Sequence, residues 1–337
     1  MSKKPQILVV GSLVMDLTIR TERFPGSGET VLGRDFRTAP GGKGANQAVQ
    51  AARLGADVTM VGKVGDDDFG RKLIESGKAA GIRTQYIAVD PARSSAVGAV
   101  LLEIGEGKAA KNRIIVVPGA NMSITPEDVA FLKDGIGSYD MVVLQHEIPL
   151  EIDELVVEYA AAKGVPVMLN PAPSAPISDK MLSRLTYISP NEHEAADLTG
   201  IPIRKEGKSV NQDDVKAAVD SLLARGVANV VITMGNAGAV VANRDEWIYQ
   251  PCIDVVEVRD PTAAGDSFVG AFTTGVCSGL DHSQALTFAN YTATLTVSRI
   301  GAQPSLPTLE EVIGLLRSQK ETGLDLSLLA GLKGESL

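Results

Sequence analysis

The stretch Asp260-Pro261-Thr262-Ala263-Ala264-Gly265-Asp266-Ser267-Phe268 brings together the residue types that phosphoryl transfer needs. Pro261 ends whatever precedes it, because proline has no N–H for a strand ladder and restrains the residue before it. From Gly265 onward Phe268, Val269, Ala271, Phe272, Val276 and Leu280 recur at helical spacing. A helix start leaves backbone N–H groups unpaired at the positive end of the helix dipole. Ala263, Ala264 and Gly265 have almost no side chain to obstruct an approaching oxyanion. Asp266 then sets a carboxylate beside that anion site. Donors that hold a phosphate, next to a carboxylate that takes a proton from an attacking hydroxyl, suit a kinase. The plainer reading is an aspartate that caps a helix, worth about 1 kcal/mol.

Other candidate ligand groups lie where strands end, which is where α/β sheets bind ligands. Asp16 follows a first strand, Gln6 to Gly11, and its carboxylate could accept from two adjacent hydroxyls of a vicinal diol. Gly41-Gly42-Lys43-Gly44-Ala45-Asn46 precedes a helix expected from Gln47 to Leu54. This loop is not a Walker A motif, because Gly44 stands where Ser or Thr would follow the lysine. Its glycines allow close backbone approach, and Lys43 and Asn46 offer donors to sugar hydroxyls or a phosphate. Thr233-Met234-Gly235-Asn236-Ala237-Gly238 ends another strand, in a turn tight enough to approach a nucleotide or simply to close a hairpin. Asp66-Asp67-Asp68 reads as a helix start rather than a metal site.

Two of these segments resemble the signatures of the ribokinase-like sugar kinases. Asp260 to Phe268 is similar to the C-terminal signature, and Gly41-Gly42-Lys43-Gly44-Ala45-Asn46-Gln47-Ala48 to the N-terminal one. The resemblance runs from about Ile7 to about Leu316. It implies that Asp266 is the catalytic base, with Ala263, Ala264 and Gly265 forming the anion hole. It assigns Asp16, Gly42, Lys43, Asn46 and Glu147 to the sugar; by spacing alone Glu147 is equally a solvated loop carboxylate. Asn191-Glu192-His193-Glu194 resembles the Asn-x-x-Glu motif of the family, in which Asn191 and Glu194 face phosphate and Mg²⁺-bound water. The loop bearing Thr233, Gly235, Asn236 and Gly238 would lie along ATP, with Asn290 near the adenine. The resemblance also implies a monovalent cation, K⁺, held by carbonyls of Thr262, Thr296, Arg299 and Gly301, the Asp260 side chain and the Ser305 hydroxyl. Such hard oxygen ligands suit an alkali cation.

The elements that must position these groups alternate between strand and helix. Strands are expected at Met141–Gln145, Val165–Asn170, Tyr187–Ser189, Asn229–Thr233 and Ile253–Val258. Helices are expected at Leu150–Ala162, Ser178–Leu182, Glu192–Leu198, Asp213–Ala224 and Ser283–Ser298. That order predicts an α/β fold, a mostly parallel sheet with helices on both faces and right-handed crossovers. Leu17–Glu22 with Thr30–Thr38, and Ala96–Ile104 with Arg113–Val117, read as two hairpins, the second with its tip at 105–108. The resemblance makes them a β lid over the sugar and suggests a homodimer through it. One domain is expected over residues 1–320, with lid segments near 13–38 and 94–118 and a loosely held tail at 321–337.

Composition narrows the function classes. The 337 residues carry a net charge of −9, which argues against a broad nucleic-acid or anionic-membrane surface. Cys252 and Cys277 lack metal-ligand spacing and are expected to be reduced and buried. The start, Met1-Ser2-Lys3-Lys4-Pro5, is read as lacking a signal peptide, so a cytoplasmic protein is expected. A dinucleotide oxidoreductase would want Gly-x-Gly-x-x-Gly after the first strand, and Gly11-Ser12-Leu13-Val14 lacks it. The resemblance therefore implies transfer of the γ-phosphoryl of ATP to the 5-hydroxyl of D-ribose, with Mg²⁺. The alternatives are a kinase for 2-deoxyribose, fructose or a nucleoside, or a non-catalytic sugar or nucleotide sensor. A content of only 4% aromatic residues disfavours the nucleoside.

Overall fold

A computed structural model of the chain describes residues 4–104, 111–207, 209–319 and 323–333. The expected hairpin tip at 105–108 lies outside them. In chain order the elements are β1 (Gln6–Val10), β2 (Val14–Thr21), β3 (Gly33–Gly41), α1 (Lys43–Arg53), β4 (Asp57–Gly65), α2 (Asp68–Ala79), β5 (Arg83–Asp90), β6 (Ala96–Glu103) and β7 (Lys111–Val117). There follow α3 (Pro126–Val129), α4 (Leu132–Gly135), β8 (Met141–Gln145), α5 (Leu150–Lys163), β9 (Val167–Asn170), α6 (Asp179–Leu182), β10 (Tyr187–Ile188) and α7 (Glu192–Thr199). The chain continues with β11 (Lys205–Glu206), β12 (Ser209–Val210), α8 (Gln212–Ala224), β13 (Asn229–Thr233), β14 (Ala239–Ala242), β15 (Trp247–Gln250), α9 (Ala264–Cys277), α10 (His282–Val297) and α11 (Leu309–Ser318).

Among the described residues nine strands make the main sheet, in the order β15-β14-β13-β10-β9-β8-β1-β4-β5. Every pair from β13 to β5 is parallel, and β14 and β15 close one edge antiparallel. Both faces are covered, which is why β1 and β8 read as unbroken apolar runs rather than alternating ones. Ile7 and Val9 pack on one side with α1, α9, α10 and α11. Leu8 and Val10 pack on the other with α5 and α8. The strand order reverses direction at β1, so the carboxyl ends of β1, β8, β9 and β10 converge on one crevice.

A second sheet, ordered β3-β2-β6-β7, stands off this core. It begins earlier than the sequence suggests: β2 starts at Val14, so Val14 and Asp16 point to one face of the same strand. The helix after the glycine loop also starts earlier, at Lys43, which puts Lys43 and Asn46 in its first turn. Asp67 caps α2, accepting from the Gly70 N–H at 2.7 Å, as a helix-start aspartate should.

Three expectations fail. Ile253–Val258 forms no strand; its neighbourhood lies beyond the sheet edge, and the Arg259 and Asp260 N–H groups bond instead to the Val297 carbonyl at the end of α10. Cys252, on that irregular segment, is consequently exposed rather than buried, and Cys277 at the end of α9 is only partly covered. The loosely held tail is also corrected over its described part: Leu326–Lys333 is a 3₁₀ helix whose Leu329 and Leu332 are buried in the α1 side of the core. Strand β5 and helix α11 were not anticipated.

Candidate active site

The anion loop has the form its composition suggests. Ala263 adopts the left-handed conformation, φ 60°, and no side chain caps α9. For a residue with a Cβ this costs about 1–2 kcal/mol, and it turns the chain sharply into the helix. Ala264 donates its N–H to the Pro261 carbonyl at 3.2 Å, which removes it from the hole. Among the described residues the Gly265 and Asp266 N–H groups have no partner. A Cβ added to Gly265 would meet nothing within 4 Å. These groups border a cavity of about 240 Å³ that Lys43, Asn191, Glu194 and Thr233 also line.

Asp266 is buried at 7% exposure, and both its oxygens are held by α1. Asn46 donates to Oδ2 at 2.8 Å and Gln47 to Oδ1 at 3.1 Å. Because Asn46 turns its NH₂ to the carboxylate, its own Oδ1 is left buried without a partner among the described residues. An acceptor in that state suits a substrate hydroxyl.

Three carboxylates converge here. Glu147 is not a solvated loop residue: its Oε2 accepts from the Ser12 hydroxyl at 2.5 Å and from the Lys43 N–H at 2.9 Å. Asp16 is on β2 of the second sheet; a Cβ on Gly41 would come 2.4 Å from its carboxylate, and one on Gly98 2.7 Å. Those two glycines leave the space the carboxylate fills. Burial, then the Glu147 and Asp266 charges, push Asp16 up to about 6. Lys43 answers this charge. Burial pulls its ammonium down, but Asp266, Glu147 and Glu194 together outweigh that, and the net direction is up. Gly42, at φ 91°, starts α1 in a conformation only glycine adopts readily, and a Cβ there would strike the Val14 N at 2.8 Å.

Asn191 and Glu194 form a capping box at α7. The Asn191 side chain accepts from the His193 and Glu194 N–H groups, and Glu194 accepts from the Asn191 N–H at 2.8 Å. Both still face the cavity, and Thr233 joins Asn191 through a parallel bridge. Burial above all raises Glu194. Among the described residues no group of three or more His, Cys, Asp or Glu side chains stands ready to hold a metal. One carboxylate facing a phosphate cavity fits Mg²⁺, which keeps several waters and leans on substrate phosphates.

The other positions divide. Gly235 and Asn236 are exposed beyond β13. Gly238 instead packs under β15, where a Cβ would sit 2.1 Å from the Gln250 carbonyl, so its smallness serves the hairpin. Asn290 is buried on α10 with its Nδ2 unpartnered among the described residues. Asp260 ties two loops together: Oδ1 accepts from the Thr262 N–H at 2.9 Å and Oδ2 from the Gly301 N–H at 2.9 Å. Arg299 reaches out to Glu311, leaving its carbonyl as its contribution to any cation site. Ser305 is buried and donates to the Ala302 carbonyl at 2.7 Å, so it could offer a cation only its lone pairs. Thr296 supports α9 through its hydroxyl, 2.7 Å from that of Ser267.

Sequence reasoning missed Ser12, Gln145 and Asn170, and it quoted Gln47 without a role. Gln145 and Asn170 end adjacent strands at the crevice, a position that marks polar residues for notice.

Comparison with known proteins places this geometry. The pfkB family carbohydrate kinase model matches residues 4–309. The chain is 41% identical over 310 residues to a ribokinase of Bacillus subtilis, covering 92% of this chain and 99% of that one. It is 35% identical over 306 residues to a deoxyribokinase of Salmonella typhimurium, covering 90% and 96%. The structure of Arabidopsis thaliana ribokinase complexed with ribose and ATP superposes with a TM-score of 0.84 at 32% identity, over 94% of this chain and 99% of that one.

Proposed function

Because this chain belongs to the pfkB family of carbohydrate kinases, we propose that it transfers the γ-phosphoryl group of ATP to the 5-hydroxyl of D-ribose. The observation that carries the reading is Asp266. It is a buried carboxylate held by two amides, adjacent to two open N–H groups and facing the cavity that Lys43 and Glu194 line.

Asp266 takes the proton of the attacking hydroxyl. The Gly265 and Asp266 N–H groups, at the positive end of α9, hold the charge that develops on the transferring phosphoryl. Asp16, Glu147 and the free Oδ1 of Asn46 accept from the other sugar hydroxyls. The left-open acceptors match a polyol better than an apolar ligand. Lys43 offsets the three carboxylates and offers a donor to phosphate. Asn191, Glu194 and Thr233 border the polyphosphate side, and the unpartnered Asn290 amide suits the adenine edge.

Mg²⁺, when bound, would neutralise phosphate charge, and Glu194 would hold it through water. For K⁺, the Asp260 clasp brings the Thr262 loop against Gly301, and the donor set there is hard oxygen, which fits an alkali cation. A homodimer through the lid is supported by Ile114, Ile115, Val116 and Val117, which are 47–65% exposed. A four-stranded sheet showing that much apolar surface suits burial against a second copy. No helix among the described residues is long and apolar enough to cross a membrane.

One observation favours 2-deoxyribose as a second substrate. Cβ atoms added to Gly98 and Gly42 would both approach Val14, whose neighbour on that face is Asp16. An apolar side chain beside the diol-binding carboxylate tolerates a missing hydroxyl better than a polar one would. A sugar panel in an ATP-consumption assay tests both readings. Ribose should give the highest kcat/KM, with measurable turnover of 2-deoxyribose. ATP consumption with none of the sugars overturns the assignment.

A further inference from the structure

The base does not stand alone. Gln47 is 1% exposed, and its Nε2 donates both to Asp266 Oδ1 at 3.1 Å and to Asn170 Oδ1 at 3.1 Å. Its Oε1 accepts from Gln145 Nε2 at 2.7 Å. Asn170 Nδ2 in turn donates to the Ser189 carbonyl at 2.8 Å. Gln145 and Asn170 are register partners at the ends of β8 and β9, so their side chains leave the sheet on one face.

The polarity of this chain of amides is fixed chemically. A carboxylate and a backbone carbonyl can only accept. Asp266 therefore demands the NH₂ of Gln47, and the Ser189 carbonyl demands the NH₂ of Asn170. With both ends fixed, Gln47 must turn its oxygen to Gln145 and Asn170 its oxygen to Gln47. No amide in the chain can flip without setting acceptor against acceptor. Gln145 Oε1 is packed where Cβ atoms on Gly11 or Gly44 would sit within 2.1 or 2.9 Å, so Gln145 is also held by shape.

We infer that Gln47 is a positioning residue for the phosphoryl-transfer step, locked by Gln145 and Asn170 so that the Asp266 carboxylate keeps one orientation toward the substrate hydroxyl. Asn46 holds the other oxygen and also faces the substrate; Gln47 is fully covered and meets the cavity only through Asp266 and Asn170. The inference rests on the reading of Asp266 as the base. A base whose carboxylate can rotate spends less time aligned, and misplacement by about 1 Å costs up to about 10²-fold.

The test is a double-mutant cycle on the full-length enzyme with ribose and ATP, each variant checked for folding by its melting curve. Gln47→Met keeps the length of the side chain and removes both hydrogen-bonding ends. It should lower kcat by about 10–100-fold while KM for ribose and for ATP stays within about threefold. In the Asp266→Asn background the same substitution should change kcat less than about twofold, because its direct route to the reaction is gone. Gln47→Met with kcat within threefold of wild type overturns the proposal alone. So does a full further loss in the Asp266→Asn background. An Asp266→Asn enzyme that keeps more than a tenth of wild-type kcat refutes the base reading, and this proposal with it. If Gln47→Met does not fold, Gln145→Met, which removes the donor orienting Gln47, is measured in both backgrounds against the same limits.

Discussion

Replacing Asp16 with asparagine should make the unliganded protein more stable and a worse sugar binder at once. The carboxylate is pushed up to about 6 from an ordinary 3.8, chiefly by burial and then by Glu147 and Asp266. Its protonated form is thus favoured in the fold, and stability from that form is complete below about 3.8 and lost as pH rises through about 6. Between those values the folded state binds the proton and the unfolded state does not, so stability falls as pH rises. Above pH 7 the ionised group costs the fold about 3 kcal/mol. At pH 5 the same linkage gives roughly half of that.

The difference between the two conditions, roughly the other half, does not depend on what the asparagine amide itself costs to bury. Urea unfolding of wild type and Asp16→Asn at pH 5 and pH 8, without sugar or nucleotide, measures it. The stabilisation by Asp16→Asn should be larger at pH 8 by roughly that amount. Meanwhile KM for ribose should rise at least about 10²-fold, because a site made of buried polar groups rejects a mismatched partner strongly. A stabilisation that is equal at both pH values within about 0.5 kcal/mol refutes the reasoning. So would an unchanged KM, since the destabilising charge would then have no function to offset it.

Asp266→Asn should fold normally and lose at least about 10²-fold in kcat, measured by coupled ADP release; a smaller loss makes Asp266 a helix-start residue and nothing more. Potassium should raise kcat over tetramethylammonium at equal ionic strength, because an ion bound where Asp260 joins the Thr262 and Gly301 loops would order the start of α9; identical rates remove the cation from the site. Val14→Asn should widen the preference for ribose over 2-deoxyribose in kcat/KM, since Asn can bond a hydroxyl and Val cannot; an unchanged ratio in a folded enzyme excludes Val14 from sugar choice.

The parts of the fold that could be read from the chain were those with a local cause. Met141–Gln145 and Asn229–Thr233 were placed to the residue, because a parallel strand covered on both faces is an unbroken apolar run between breakers. Ile253–Val258 is also rich in β-branched residues, but Asp254 and Glu257 interrupt it, and it forms no strand. It bonds to α10 instead of a strand, and pairing is not a property of the segment itself. The tail failed for the same reason in reverse: leucines at 329 and 332 find the apolar side of α1, a surface the tail's own sequence does not reveal.

The site divides along the same line. Asp266, Gly265, Asp16 and Lys43 stood out because they fall at strand ends and helix starts, where α/β sheets bind ligands, and Glu194 because Asn191-x-x-Glu194 resembles a family motif. Gln47, Gln145 and Asn170 are neutral amides, and nothing about a neutral amide in a sequence marks it as buried. Their significance exists only as contacts between α1, β8, β9 and α9, separated by as many as 219 residues. Buried, such groups must satisfy one another, and the acceptor-only carboxylate at one end dictates the orientation of all the rest. A charge that performs chemistry in a crevice thus imposes its polarity on residues two contacts away. Gln145 never touches Asp266, yet its amide points as it does because Asp266 cannot donate.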